Sequence, residues 1–154
     1  MSESTTRSKR SLPPRRSSPA ENEKHIRWTH RAAYVDTDQG GVVHHSAYVR
    51  WLETARIELL RNHGLTYKDL EDVHRLALPV VDVHIRYMRP VHYDEQVDIV
   101  CWVGNLKRAS IRFDYVIERR GERLTEAEVT CACISYQDRK IRSIPELVVN
   151  AVRD

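Results

Sequence analysis

The stretch Tyr34-Val35-Asp36-Thr37-Asp38-Gln39-Gly40-Gly41-Val42-Val43-His44-His45-Ser46-Ala47-Tyr48-Val49-Arg50-Trp51 gathers the residue types that can do chemistry. Two carboxylates sit in a polar loop that passes through two glycines into the start of a predicted helix. Unpaired amides and the positive end of the helix dipole favour an oxygen carrying negative charge at such a point. A carboxylate opposite an oxyanion site is what acyl transfer or acyl hydrolysis requires: one group attacks or activates water while the other stabilises the tetrahedral intermediate. The glycines let the backbone turn and let a substrate come close. Asp36 taken alone reads as a turn-forming acid. His44 and His45 are adjacent, so their side chains diverge by about 100° on a helix or about 180° on a strand. A metal site built from them and the two acids is therefore not expected, nor is any other metal.

Several elements must position this stretch. Trp28 to Val35 carries β-favouring Trp, Thr, Tyr and Val and is predicted to be a first strand. Tyr48, Leu52, Ala55 and Leu59 recur at helical spacing, with Trp51 beside them, which predicts a helix from about Ala47 to about Asn62. Ser46 is its expected N-cap and Gly64 its stop, with Glu53–Arg56 and Glu58–Arg61 as ion pairs along it. A helical turn is expected between Tyr67 and His74. The period then changes to two: Val81, Val83, Ile85 and Tyr87 alternate with polar residues, predicting one buried and one wet face. Further strands are expected around Val97 to Val103 and Ile111 to Ile117, then a long one from Arg123 to Tyr136. Pro145 to Val152 is predicted to form a short terminal helix. Strands joined by short turns are antiparallel, so the expected class is α+β: one antiparallel sheet of about five strands folded over one long helix. Thr125, Ala127, Val129, Cys131, Cys133 and Ser135 share a face of small residues that lets the helix lie close. Val100 and Trp102 fall on the opposite face and are expected to be exposed, which suggests that a second subunit covers them.

The chain has 154 residues, the size of one ordinary domain, and a net charge of +3. Six cations and three anions fall within residues 1–24, leaving nineteen of each in residues 25–154. A neutral body lacks the concentrated basic face that displaces counterions from nucleic acid. Residues 1–24, with six serines and three prolines, are expected to be a disordered basic tail preceding a domain at 25–154. Cys101, Cys131 and Cys133 form no metal-type pair and read as small core residues. No apolar run approaches the ~20 residues of a membrane span, and no secretory signal is evident. A soluble cytoplasmic protein is the expectation.

The central stretch also resembles a known signature. Asp36-Thr37-Asp38, Gly41-Val42-Val43-His44-His45, Tyr48, Trp51 and Glu53, continued by Ala55-Arg56 and Glu58, are similar to the 4-hydroxybenzoyl-CoA thioesterase group of hotdog-fold proteins, and especially to its YbgC-like branch. Ala32 stands where Ile or Val is common. The resemblance implies a hotdog fold, hydrolysis of an acyl-CoA thioester without a cofactor, and a homodimer or homotetramer with sites at subunit interfaces. It implies Asp38 as the catalytic carboxylate, either nucleophile or general base, and the His45 backbone amide as the group that polarises the carbonyl. The His45 imidazole is a further candidate for orienting water or substrate. Gly41 and Val42 would shape the loop, Tyr48 and Trp51 would form core and acyl-pocket wall, and Lys107 and Arg108 would meet the CoA phosphates. The last pair reads equally well as a solvated charged turn. Hydration of an acyl-CoA and non-catalytic acyl-CoA binding are the rival uses of such a fold.

Overall fold

The computed structural model describes residues 16–153. Strand β1 (His25–Arg31) leads through a single 3-10 turn at Tyr34–Asp36 to helix α1 (His45–Asn62) and the short helix α2 (Tyr67–Asp72). Then follow β2 (Leu76–Ala77), β3 (Val80–Tyr87), β4 (Gln96–Leu106), β5 (Ser110–Arg119), β6 (Glu122–Ala132), β7 (Ile134–Ser135) and helix α3 (Glu146–Val152). Five strands form an antiparallel sheet in the order β1-β4-β5-β6-β3, and β2 pairs with β7 in a small second sheet. The hotdog arrangement follows: α1 buries Ala47, Tyr48, Trp51, Leu52, Ala55, Leu59 and Leu60 against Ile99, Cys101, Phe113, Tyr115, Ala127 and Cys131 of the sheet. The small side chains of β6 lie in this core, and all three cysteines are buried and unpaired.

Four local expectations change. The first strand stops at Arg31 because the Asp36 carboxylate accepts a hydrogen bond from the Ala33 amide at 3.0 Å, closing the 3-10 turn where strand was expected. Helix α1 starts at His45, with His44 rather than Ser46 as N-cap. The Val43 amide donates to the Val91 carbonyl and the His44 amide to the Asp36 carbonyl, which keeps the chain extended up to that point. Arg56 turns into the core, 7% exposed, instead of pairing with Glu53, whereas the Glu58–Arg61 pair forms at 3.2 Å. The long strand breaks at Cys133, where the chain leaves β3 to pair with β2.

The two sheet surfaces expected to be half-wet also differ. Strand β3 is an edge strand bonded to β6 alone, so Val81 (61% exposed), Val83 and Tyr87 stay open on a strand expected to be half-buried. Trp102 and Val100, expected on the surface, are buried at 0% and 5%. Residues 1–15 lie outside the described chain, but residues 16–24 of the expected tail make defined contacts with the body.

Candidate active site

The loop from Asp36 to His45 is held by backbone bonds. The Asp38 amide donates to the Val42 carbonyl at 2.9 Å and the Gly41 amide to the Asp38 carbonyl at 3.0 Å. Gly41 adopts φ +76°, a region that a β-carbon disfavours, which explains the glycine here. The Tyr93 amide donates back to the Gly41 carbonyl at 2.9 Å, tying the loop to the segment before β4.

Asp38 closes this turn with its own side chain. Its Oδ1 accepts from the Gly40 amide at 2.8 Å and the Val42 amide at 3.2 Å. Oδ2 takes no hydrogen bond among the described residues, so the carboxylate is oriented yet keeps one oxygen for chemistry. Asp36 faces the other way. Its carboxylate is 6% exposed and accepts from the Ala33 amide and from Arg50 Nη2 at 3.1 Å, with His30 Nε2 at 3.5 Å. Burial alone would raise its pKa, but the Ala33 amide, Arg50 and His30 together hold it below the ordinary carboxylate value.

A cavity of about 320 Å³ opens beside Asp38. Its walls are Asp38, Val42, Val43, His44, His45 and Tyr48 on one side and Tyr87, Met88, Arg89 and Pro90 on the other. His44 makes no side-chain cap bond; its carbonyl accepts from the Ala47 amide at 3.1 Å, and the His45 and Ser46 amides ahead of it have no side-chain capping oxygen. Aromatic rings line the wall: Tyr87 stands edge-on to His45 at 4.5 Å and to Tyr48 at 5.0 Å between centroids. Burial raises the phenol pKa of both tyrosines, so each is neutral at physiological pH.

The structure thus brings Asp38, Val42, His45 and Tyr48 to one cavity, with Gly41 as the turn behind it. Trp51 does not reach the cavity; it is 3% exposed and packs behind Tyr48, with ring centroids 5.3 Å apart. Lys107 and Arg108 occupy the turn between β4 and β5, whereas the loop of Asp38 is pinned near the start of β4. About ten residues of strand, roughly 33 Å at ~3.3 Å per residue, separate the two ends. Sequence reasoning did not find Tyr87, Met88, Arg89 and Pro90. Tyr87 carried only its place in the alternation of β3, and nothing local linked that strand to a loop more than forty residues earlier.

An antiparallel sheet wrapped on one long helix, with a carboxylate loop meeting the N-terminus of that helix, defines the class of hotdog thioester hydrolases. The chain belongs to the thioesterase-like superfamily, whose pattern matches residues 33–152. It is 33% identical to the acyl-CoA thioester hydrolase YbgC of Escherichia coli over 125 residues, covering 80% of this chain and 92% of that protein. A hypothetical protein of Aquifex aeolicus superposes with a TM-score of 0.79 at 27% identity, over 83% of this chain and 99% of the other. The DHNA-CoA thioesterase of Staphylococcus aureus gives a TM-score of 0.74 at 28% identity, over 77% and 80% of the two chains.

Proposed function

We propose that the protein hydrolyses acyl-CoA thioesters, with Asp38 as the catalytic carboxylate and the His45 amide as the donor to the thioester oxygen. The observation that carries this reading is that Asp38 and the first turn of α1 wall one cavity. The thioester carbonyl would lie between them. In one course, Asp38 Oδ2 attacks the carbonyl carbon, the C–S bond breaks, CoA leaves as its thiolate, and water then cleaves the resulting anhydride. In the other, Asp38 takes a proton from a water that attacks the carbon directly, with the same thiolate leaving. Both courses place negative charge on the carbonyl oxygen, where the helix terminus stabilises it. Neither course uses a cofactor or a metal.

Tyr48 and Tyr87 offer the acyl group flat apolar walls, and the His45 ring stands at the entrance of the helix, where it can orient water. Arg89, which lines the cavity and pairs with Glu122 at 3.0 Å, would meet a CoA phosphate by exchanging that partner; Lys107 and Arg108 would reach a site only across a subunit boundary. The open edge of β3 supports a homodimer: Tyr87 lies both on that edge and in the cavity wall, so a second copy laid along β3 would close the site. Pairing of such dimers would give a homotetramer. Three unpaired thiols fit a reducing cytoplasm.

Thiol release measured over a panel of acyl-CoA thioesters tests the proposal. Wild type should turn over at least one of them and Asp38→Asn should be slower by about 10²–10⁴-fold, the usual weight of a positioned acid or base. Equal rates in the two proteins, with the fold intact by circular dichroism, would remove Asp38 from the mechanism.

A further inference from the structure

The face of the sheet turned away from α1 has its own buried cluster. Trp102, Val100 and Val116 are 0%, 5% and 2% exposed and form a group separate from the main core. In register, Trp102 lies between His25 and Asp114, and Val100 between Arg27 and Val116. Gly104 makes room for Asp114: a β-carbon there would collide with the Asp114 carboxylate, which therefore leans over β4 beside Trp102. Arg112 donates to Asp114 at 2.8 and 3.2 Å, and both side chains are almost wholly buried. A tryptophan and an ion pair removed from water on a face without a helix need a roof.

Residues 16–24 reach this face. Arg123 Nη2, on β6, donates to the Ser17 carbonyl at 2.9 Å, and Arg16 places its positive charge near Asp114. The Arg16 guanidinium holds both Glu23 oxygens, at 2.5 and 2.7 Å, and the Ala20 amide also donates to Glu23, so the segment is closed into a loop. At its far end Lys24 Nζ donates to the Asn150 carbonyl of α3 at 2.9 Å. The segment lies outside residues 33–152, the part matched by the superfamily pattern. Around the apolar centre the face carries both signs of charge, Arg27 against Asp98 and Glu118, and Arg86 against Glu126. A face with an apolar centre and a mixed rim is complementary to itself under a twofold axis.

We propose that residues 16–24 are a built-in cover that governs assembly: seated, they occupy the Trp102 face, and removed, they open it to a second copy of the same chain. A tryptophan contributes 150–250 Å² of buried surface, so its exposure with two valines beside it makes this face adhesive. The cover and the Asp38 cavity use different parts of the fold, so this inference stands apart from the proposed reaction.

Three proteins test it: the full chain, a form lacking residues 1–15 and a form lacking residues 1–24. Mass is read by light scattering over a concentration series. Trp102 protection is read by acrylamide quenching, as the difference from each protein's Trp102→Phe counterpart. The full chain and the shorter truncation should share one mass and a protected Trp102. The longer truncation should gain mass about twofold in a concentration-dependent way, and Trp102→Gln in that background should reverse the gain. Should the longer truncation fail to fold, the full-chain double variant Arg16→Ala/Arg123→Ala should raise Trp102 quenching at least twofold. An unchanged mass with Trp102 still protected after loss of 1–24, mass gained already on loss of 1–15, or unchanged quenching in the double variant would each overturn the proposal. The rate of thioester hydrolysis per chain should be equal in the full chain and the shorter truncation, which keeps a failure of the cover distinct from a failure of the catalytic reading.

Discussion

Asp36 and Asp38 stand two residues apart, yet the loop gives them opposite surroundings. Asp36 is enclosed: an amide and a guanidinium donate to a carboxylate in a residue that is 6% exposed, the His30 imidazole approaches it at 3.5 Å, and its carbonyl anchors the His44 amide at 2.8 Å. Asp38, exposed and beside a cavity, has one oxygen fixed by two amides and the other without a hydrogen bond among the described residues. In the proposed reaction the contrast separates a clasp, Asp36, from a reagent, Asp38. A buried, fully bonded carboxylate stabilises the ionised state and holds elements together, whereas an oriented but incompletely bonded one remains available for attack or proton transfer. The clasp joins β1, the 3-10 turn and α1, so it fixes where the Asp38 loop meets the helix N-terminus.

The largest expected break in this comparison is Asp38→Asn, which should cost about 10²–10⁴-fold in thioester turnover with a melting temperature within a degree or two of wild type. Asp36→Ala should act in the reverse order. Loss of charge-assisted hydrogen bonds to a buried carboxylate costs about 2 kcal/mol, visible in urea unfolding, with turnover reduced through displacement of the loop. Gly41→Val should cost about 1–2 kcal/mol, because a β-branched residue disfavours the left-handed conformation at φ +76°. Turnover should fall with it, since the same turn aims Asp38.

A smaller effect sharpens the comparison through pH. The Asp36 pKa lies below its ordinary value in the folded state, so its contribution to stability is complete above the unfolded carboxylate pKa of about 4. That contribution is lost as pH falls through the lower, folded value. Melting temperatures of wild type should therefore drop more steeply than those of Asp36→Asn below about pH 4. Parallel curves would mean that Asp36 is not held in its charged form by the clasp. The smallest effect on the folded subunit itself is expected on the open edge. Val83→Lys should leave unfolding within about 0.5 kcal/mol, as for other exposed positions, while weakening association along β3 in sedimentation.

Much of the positioning was legible because it rests on local pattern. The stripe of Tyr48, Leu52, Ala55 and Leu59 forms the buried face of α1, and the alternation in β4, β5 and β6 matches the core. The acid–glycine–helix order likewise marked the loop that walls the cavity. What escaped depended on distant partners. The 3-10 turn at Tyr34–Asp36 forms because a side chain captures an amide three residues earlier, against the strand preference of Tyr and Val. Arg56 satisfies the spacing of a surface ion pair but sits on the buried arc of α1 near Tyr67 and Tyr115. Tyr87, Met88, Arg89 and Pro90 reach the cavity only because β3 occupies the sheet edge beside the helix N-terminus, a matter of topology that no spacing encodes. The burial of Trp102 likewise escaped, on a face that Ser17 reaches through its bond with Arg123, far away in sequence.

The central claim is that Asp38 is the reagent and Asp36 the clasp. Single-turnover thiol release from an acyl-CoA thioester, measured for Asp38→Asn and Asp36→Asn side by side with wild type, tests it most directly. A loss of at least about 100-fold in the chemical step is expected for Asp38→Asn and a much smaller loss for Asp36→Asn, whose isosteric amide preserves most of the loop. Equal losses in the two variants, or the greater loss in Asp36→Asn, would contradict it.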